Sequence, residues 1–320
     1  MILNYEVKKE NLTINYILKN ELHISTRLLS KLIKNNLVYI NNKKCDTRLV
    51  AKKGDIISVN LDYSEDNSNI VSTKMNLNIV YEDDSFIILN KPSGIAVHPS
   101  IRHFENTISN GLKFYYDSIN LHKKIRPVNR LDLNTSGLII FAKNEYIQEC
   151  LIKQMENNTF KKEYLAIITG HLSSKTGTIN SPISRKPGSI IERYVSPDGK
   201  KAITHFEVLK EYNNCSLVKC ILETGRTHQI RVHFASISHP LLGDDLYGKK
   251  SDLIAGQALA CYRLTFKHPI TNTQFVAVLP DNPFYFLNLK WYFWEKYIKN
   301  HTWKLKIILS QKYLTFSGSV

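Results

Sequence analysis

Asp132 is the residue best placed by its neighbours to do chemistry. It lies in Arg126-Pro-Val-Asn-Arg-Leu-Asp-Leu-Asn-Thr-Ser-Gly137, two residues after Arg130. Just beyond it, the turn Asn134-Thr-Ser-Gly137 feeds the apolar run Leu138-Ile-Ile-Phe-Ala142. A carboxylate on a loop that enters a core strand is held rigidly, and a carboxylate near cations serves as nucleophile or base. The plain alternative is a turn-capping Asp beside a surface Arg, and the pair alone does not separate the two.

Three further segments bear on that choice. Lys162-Glu-Tyr164 opens a strand, where a tyrosine buries its ring and keeps its hydroxyl wet. Glu223-Thr-Gly-Arg-Thr-His-Gln-Ile-Arg-Val-His233 is a glycine turn followed by a helix. Among Ile230, Val232 and Phe234, Arg231 either faces solvent or pairs with a carboxylate. His239-Pro-Leu-Leu-Gly-Asp-Asp-Leu-Tyr-Gly248 is a polar loop beyond that helix. His228 and His233 are one residue too far apart for the spacing that shares a helix face, and no Glu or Cys completes a ligand set, so no metal is expected. The five cysteines are scattered, with no CxxC pair and no adjacent Lys–His arrangement, so they read as core or neutral surface.

In this order, RLDxxTSG, KxY, TGRTHQIRVH and HPxxGDxxYG resemble the RluA-type pseudouridine synthase family, here of the large-subunit ribosomal RNA kind. Val80-Tyr-Glu-Asp-Asp84, Asn90-Lys-Pro-Ser-Gly-Ile-Ala-Val-His98 and Leu264-Thr-Phe-Lys-His-Pro269 extend the likeness from about residue 76 to 285. The resemblance implies that Asp132 is the catalytic aspartate and that Tyr164 stacks on the target base and assists proton removal. It further implies that Arg231 pairs with the aspartate and that Arg130 reaches into the RNA. Two departures stand out: Asn129 replaces the family's usual His before RLD, and Asn134 stands where many members carry Asp or another polar residue. The implied reaction breaks an N-glycosidic bond and rejoins the base through carbon 5, which calls for neither metal nor redox cofactor. Asp132 would attack the ribose anomeric carbon or stabilise the fragmented state.

These side chains need a scaffold. Strands are predicted at 77–81, 86–89, 137–142, 163–168, 202–209, 216–222 and 275–279. Helices are predicted at 144–155 and 227–238, the second with Thr227 as N-cap and Pro240 as stop. Strands outnumber helices without regular alternation, so the expected class is α+β, with a mixed, largely antiparallel sheet and flanking helices. No phosphate-cradling glycine loop opens any helix.

Ahead of this lies a different texture. Residues 8–61 hold eleven Lys/Arg against four Asp/Glu, net +7 of the chain's +15. Ser25 is a candidate N-cap for a helix whose Leu28, Leu29, Leu32 and Ile33 form an apolar stripe, while Arg27, Lys31 and Lys34 share another face. Strands at 37–40 and 56–59 follow. The pattern Ile24-Ser25, Arg27, Leu32-Ile33, Leu37-Val38, Ile40-Asn41, Gly54-Asp55 resembles the S-four-type RNA-binding domain, a small α/β module, and implies that this basic helix faces structured RNA. The resulting division is 1–61 RNA-binding module, 62–74 acidic linker, 75–285 catalytic domain and 286–320 basic aromatic tail. The tail carries all three tryptophans among lysines, either to stack on bases or as a helix packed on the domain.

The chain has 320 residues, 43% of them hydrophobic, which suits two packed domains and excludes wholesale disorder. No apolar run approaches a membrane span, and the start shows no secretory signal pattern, so a cytoplasmic monomer is expected. A pI near 9.4 fits an anionic partner or serves solubility alone; the motifs favour RNA, by analogy ribosomal RNA. The reading is therefore an RNA pseudouridine synthase without cofactor. The alternative is a catalytically weak ribosome-assembly factor on the same fold, supported only by Asn129.

Overall fold

A computed structural model describes residues 1–280 and 283–284. The tail expected at 286–320 lies outside the described residues. Residues 1–283 form one unit by their contacts.

The first sixty residues build a four-stranded antiparallel sheet, a short helical stretch over 14–21, a two-stranded pairing of 12–13 with 50–51 and one longer amphipathic helix. Strands β1 (Ile2–Glu6), β2 (Val38–Ile40), β3 (Lys43–Lys44) and β4 (Ile56–Asn60) run in the order β1-β4-β2-β3. Asn41 and Asn42 both take positive φ, 47° and 65°, which closes the tight β2–β3 hairpin. Helix α1 (Thr26–Lys34) is capped by Ser25, whose hydroxyl accepts the Leu28 N–H, and it buries Leu28, Leu29 and Leu32. The run 62–74, expected as a linker, holds no strand or helix, yet Glu65 and Asn67 are buried.

The larger sheet begins with β5 (Ile79–Glu82), β6 (Phe86–Lys91) and, after helix α2 (Ile108–Ser118), β7 (Ser136–Ala142). Helix α3 (Glu145–Glu156) leads to β8 (Lys161–Thr169) and β9 (Thr176–Asn180). A small hairpin of β10 (Ile183–Arg185) and β11 (Arg193–Val195) precedes β12 (Ile203–Glu211) and β13 (Cys215–Leu222). Helix α4 (Gln229–Ser236), β14 (Leu259–Lys267) and β15 (Gln274–Val278) complete the described chain. The sheet order is β9-β12-β13-β8-β14-β7-β6-β5, with β15 on β14. Among these neighbours only β7 and β14 run parallel. The expected α+β class with a largely antiparallel sheet is therefore what the chain folds into. Its centre is dry: Leu138 to Ala142 and Ala166 to Ile168 are wholly buried. That is why these runs are nearly all apolar instead of alternating.

Several elements escaped the sequence reading, among them β1, β9, the β10–β11 hairpin, helix α2 and strand β14. Helix α2 has a weak apolar stripe but a full capping box, Thr107 with Asn110. Strand β14 was noticed only as a motif fragment. The helix predicted at 227–238 is a correction: it starts at Gln229, with His228 rather than Thr227 as N-cap, and ends at Ser236.

Candidate active site

The parallel β7–β14 contact gathers the chemistry. Gly137 lies opposite Cys261, Cys261 opposite Tyr164, and Tyr164 opposite Cys220, one row across β7, β14, β8 and β13. The register between β8 and β14 steps at Glu163/Tyr164, passing over Tyr262, a bulge of the kind that re-aims a side chain beside a site. Gly137 has φ +106°, and a Cβ there would stand 2.2 Å from the Cys261 carbonyl oxygen, so only glycine allows this approach.

Upstream of Gly137, the Asp132 loop is clamped from both sides. Asn129 is buried and bonds to β7 as a neighbouring strand would: its Nδ2 donates to Leu138 O (3.1 Å) and its Oδ1 accepts Ile140 N–H (2.9 Å). Lys91, with no exposed surface, donates from Nζ to Pro92 O, Ile95 O and Leu133 O at 2.9, 2.7 and 2.8 Å. Burial pulls its ammonium down to about 8, and the nearby Asp132 charge opposes that. Ser93 Oγ donates to Asn134 O, and Gln257 Nε2 to Thr135 Oγ1. The Asp132 side chain itself stays 30% exposed. A rigid loop thus presents one open carboxylate.

Two basic side chains face that carboxylate. Arg231 Nη1 stands 3.7 Å and His228 Nε2 3.9 Å from Asp132 Oδ2. Arg231 is buried and paired, one of the two readings its sequence allowed. Its two-pronged partner, however, is Asp244, at 2.7 Å from both Nε and Nη2, and its guanidinium carbon lies 5.0 Å from the Tyr247 ring centroid. Burial works against the Arg231 charge, and Asp244 more than offsets it, holding the guanidinium above its ordinary value. Asp244, fully buried, also accepts the Leu246 and Tyr247 N–H groups. Gln229 fixes the turn into α4 by accepting from Thr224 Oγ1 and Arg226 N–H while donating to Ile203 O and Thr204 Oγ1.

Tyr164 is 6% exposed. Burial first, then Cys261 and Asp132, push its phenol well above the ordinary value, so the hydroxyl keeps its proton. A ring held this way is suited to stacking and donating rather than to serving unaided as a base. Arg130 is exposed, close enough to His98 to add to the burial that lowers that imidazole. His233 is a satisfied core histidine, bonded to Thr204 Oγ1 and Ser181 O, and no group of three His, Cys, Asp or Glu gathers as for a metal among the described residues. Burial raises the Cys261 thiol to about 12.

The basic face of α1 differs from its expectation. Lys31, expected to meet RNA, is bonded to Glu65 (3.0 Å) and Glu145 (3.3 Å) and lies over the Tyr63 ring. Arg27 stands 3.6 Å from Glu145 but is 91% exposed, and Lys34 is exposed. Helix periodicity put three cations on one face; it did not reveal that acids from 65 and 145 fold back onto its middle.

Asp244, Tyr247 and Lys91 received no role from the sequence. All three lay in quoted motifs, but their parts depend on contacts that spacing does not encode.

Comparison with known proteins identifies the family. Residues 85–236 match the family described as RNA pseudouridylate synthase. The chain is 41% identical over 266 residues to the uncharacterized RNA pseudouridine synthase YhcT of Bacillus subtilis, covering 82% of this chain and 88% of that protein. It is 37% identical over 272 residues to a ribosomal large subunit pseudouridine synthase D of Neisseria meningitidis, covering 80% and 72%. In structure it resembles human RNA pseudouridylate synthase domain containing 1, with TM-score 0.55 and 25% identity over 64% of this chain and 84% of that one.

Proposed function

The chain belongs to the RluA-type RNA pseudouridine synthase family, isomerases of RNA, and on that premise we propose that Asp132 is its reacting carboxylate and large-subunit ribosomal RNA its substrate. The observation that carries the first part is an open carboxylate on a clamped loop, with Arg231 and His228 both within 4 Å of one of its oxygens.

In this reading the target uridine leaves its stack, at a cost of a few kcal/mol, and its base lies against Tyr164. The N1–C1′ bond breaks, the base turns, and a C5–C1′ bond forms; a proton leaves C5 and one arrives at N1, so atoms balance without any oxidant. Asp132 either bonds to C1′ or stabilises the fragmented sugar, and the arrangement serves both routes. Arg231 fixes the carboxylate's orientation while Asp244 carries most of its charge. Tyr164 supplies the stacking face and a hydrogen-bond donor, leaving the C5 proton to a carboxylate or to solvent.

Asp132→Asn should abolish tritium release from carbon-5-labelled uridine in RNA while RNA binding persists; a variant that still turns over sinks the assignment. The buried strand-like bonds of Asn129 give the substitution for histidine a loop-anchoring role, so it no longer argues for an inactive protein.

The ribosomal target is supported by the names of relatives such as the Neisseria protein. Mapping pseudouridines in a deletion strain tests it: sites should vanish from large-subunit RNA, and loss confined to transfer RNA would reject it. Residues 1–61 act, in this reading, as an S-four-type RNA-binding module, 62–74 as its connection and 75–285 as the catalytic domain. Arg27 and Lys34 would contact RNA phosphates from the module, and Arg130 would reach the RNA beside the site, while Lys31 ties the module to the catalytic domain.

A further inference from the structure

His228 has an unusual place. It is the N-cap of α4, it holds φ +57° in the left-handed region, and its side chain makes no cap bond. A non-glycine residue is kept in that region only when its surroundings over-determine it. Its ring instead joins a chain of polar groups. The Arg193 main-chain N–H, in β11, donates to the Tyr247 hydroxyl at 2.8 Å. That hydroxyl lies 2.8 Å from His228 Nδ1, and His228 Nε2 faces Asp132 Oδ2 at 3.9 Å.

Counting protons along this chain favours one tautomer. A tyrosine hydroxyl has one proton to give. With Arg193 N–H already donating to its oxygen, the hydroxyl satisfies its own proton by donating to Nδ1. Were Nδ1 protonated, the oxygen would receive two N–H groups and its proton would have to go elsewhere. A neutral ring that accepts at Nδ1 carries its proton on Nε2, the nitrogen 3.9 Å from Asp132 Oδ2, where a negative charge favours an N–H. Burial, helped by the charges of Arg231 and Arg193 and opposed by Asp132 and Asp244, lowers the imidazole and keeps the ring neutral.

We propose that His228 is a positioning residue for Asp132, locked as the Nε2–H tautomer by Tyr247 and, through it, by the β10–β11 hairpin. The proposal rests on the reading that Asp132 is the reacting carboxylate. At 3.9 Å the N–H is outside hydrogen-bond range, and contacts of this kind often tighten only when substrate is bound. Closing that gap gives Oδ2 a second N–H beside that of Arg231, so that one carboxylate rotamer is held for the flipped nucleotide.

The test uses the full chain and two substitutions with opposite demands. Glutamine can place an N–H close to the position of Nε2; asparagine reaches only as far as Nδ1. Backbone preference runs the other way, because asparagine is the better residue at φ +57°. On bulk tritium-labelled RNA from a strain lacking the gene, His228→Asn should lower kcat about 10- to 100-fold with KM little changed, the scale for a misplaced reacting group. His228→Gln should recover most of that loss, and Tyr247→Phe should lower kcat by a smaller factor. Nitrogen-15 NMR of the wild-type protein, with the His228 resonance identified by its disappearance in His228→Gln, should report a neutral Nε2–H ring. An Nδ1–H ring, an asparagine variant as active as the glutamine one, or a loss confined to KM would each overturn the proposal. Failure of the underlying reading is separable: an active Asp132→Asn rejects Asp132 as the reacting group, whereas an inactive Asp132→Asn beside a fully active His228→Asn rejects only the role given to His228.

Discussion

At the scale of single residues, Lys91 is the most exacting case. A fully buried ammonium is tolerated because three carbonyl oxygens surround it, and one of them, Leu133 O, belongs to the residue after Asp132. Replacing it by Met takes that donor from Pro92 O and Ile95 O, while Leu133 O keeps the Gly94 N–H, and a shielded carbonyl left without a partner costs about 1–3 kcal/mol. Lys91→Met should therefore lower stability by roughly 2–4 kcal/mol in chemical denaturation and depress kcat through the loosened loop. The pH dependence carries a distinctive sign. Its folded-state value, about 8, lies below the ordinary 10.5, so between these limits the unfolded chain binds more protons and stability rises with pH. Over the same range the native loop loses one ammonium bond, so activity should fall as pH passes about 8 while the unfolding midpoint climbs. Parallel movement of the two would contradict this account. Asp132, Tyr164 and Arg231 were legible because each is a distinctive residue type in a spaced motif, although the principal partner of Arg231 proved to be Asp244. Lys91 and Asn129 act on main-chain atoms, and carbonyl positions leave no mark in a sequence.

Among elements, strand existence was readable because the central runs are almost wholly apolar, whereas pairing was not. The parallel β7–β14 contact that joins Gly137 to Cys261 links residues more than a hundred positions apart. Gly137→Ala tests that contact: the added methyl has no room before the Cys261 carbonyl and requires a positive φ. It should cost about 4 kcal/mol or more, seen as a collapse of the thermal midpoint, and a near-wild-type midpoint would mean that β7 and β14 are not so close. The join between α1 and α3 was equally invisible. Glu65, read as part of a solvated linker, is buried between Arg126, at 2.6 Å from both oxygens, and Lys31. Burial would raise its pKa, but those two cations hold it down at about 2. Because the folded value is depressed, this stabilisation is fully present above the ordinary 4.5 and disappears as pH falls from there towards 2. Its size is of the order of 3 kcal/mol. Wild-type stability should fall across that window more steeply than that of Glu65→Gln, whose stability is already lower at pH 7.

Over the whole molecule, the excess of positive charge named an anionic partner but not which cations meet it. Three lysines and arginines on one face of α1 looked equivalent by periodicity. In the folded chain they divide, with Arg27 and Lys34 exposed and Lys31 spent on Glu65 and Glu145. Counterion release makes that division measurable. Each phosphate contact contributes about 0.7 to 0.9 to the slope of log affinity against log salt concentration. Arg27→Gln together with Lys34→Gln should therefore flatten the slope for structured RNA by about 1.4 to 1.8, with the unfolding midpoint nearly unchanged. Lys31→Gln should do the reverse, leaving the slope in place while lowering the midpoint, because it takes a cation from a buried carboxylate and not from the RNA. If Lys31→Gln flattens the slope as strongly as the double variant does, α1 binds RNA with its whole basic face. Helix α1 would then have to part from Glu65 and Glu145 when RNA arrives.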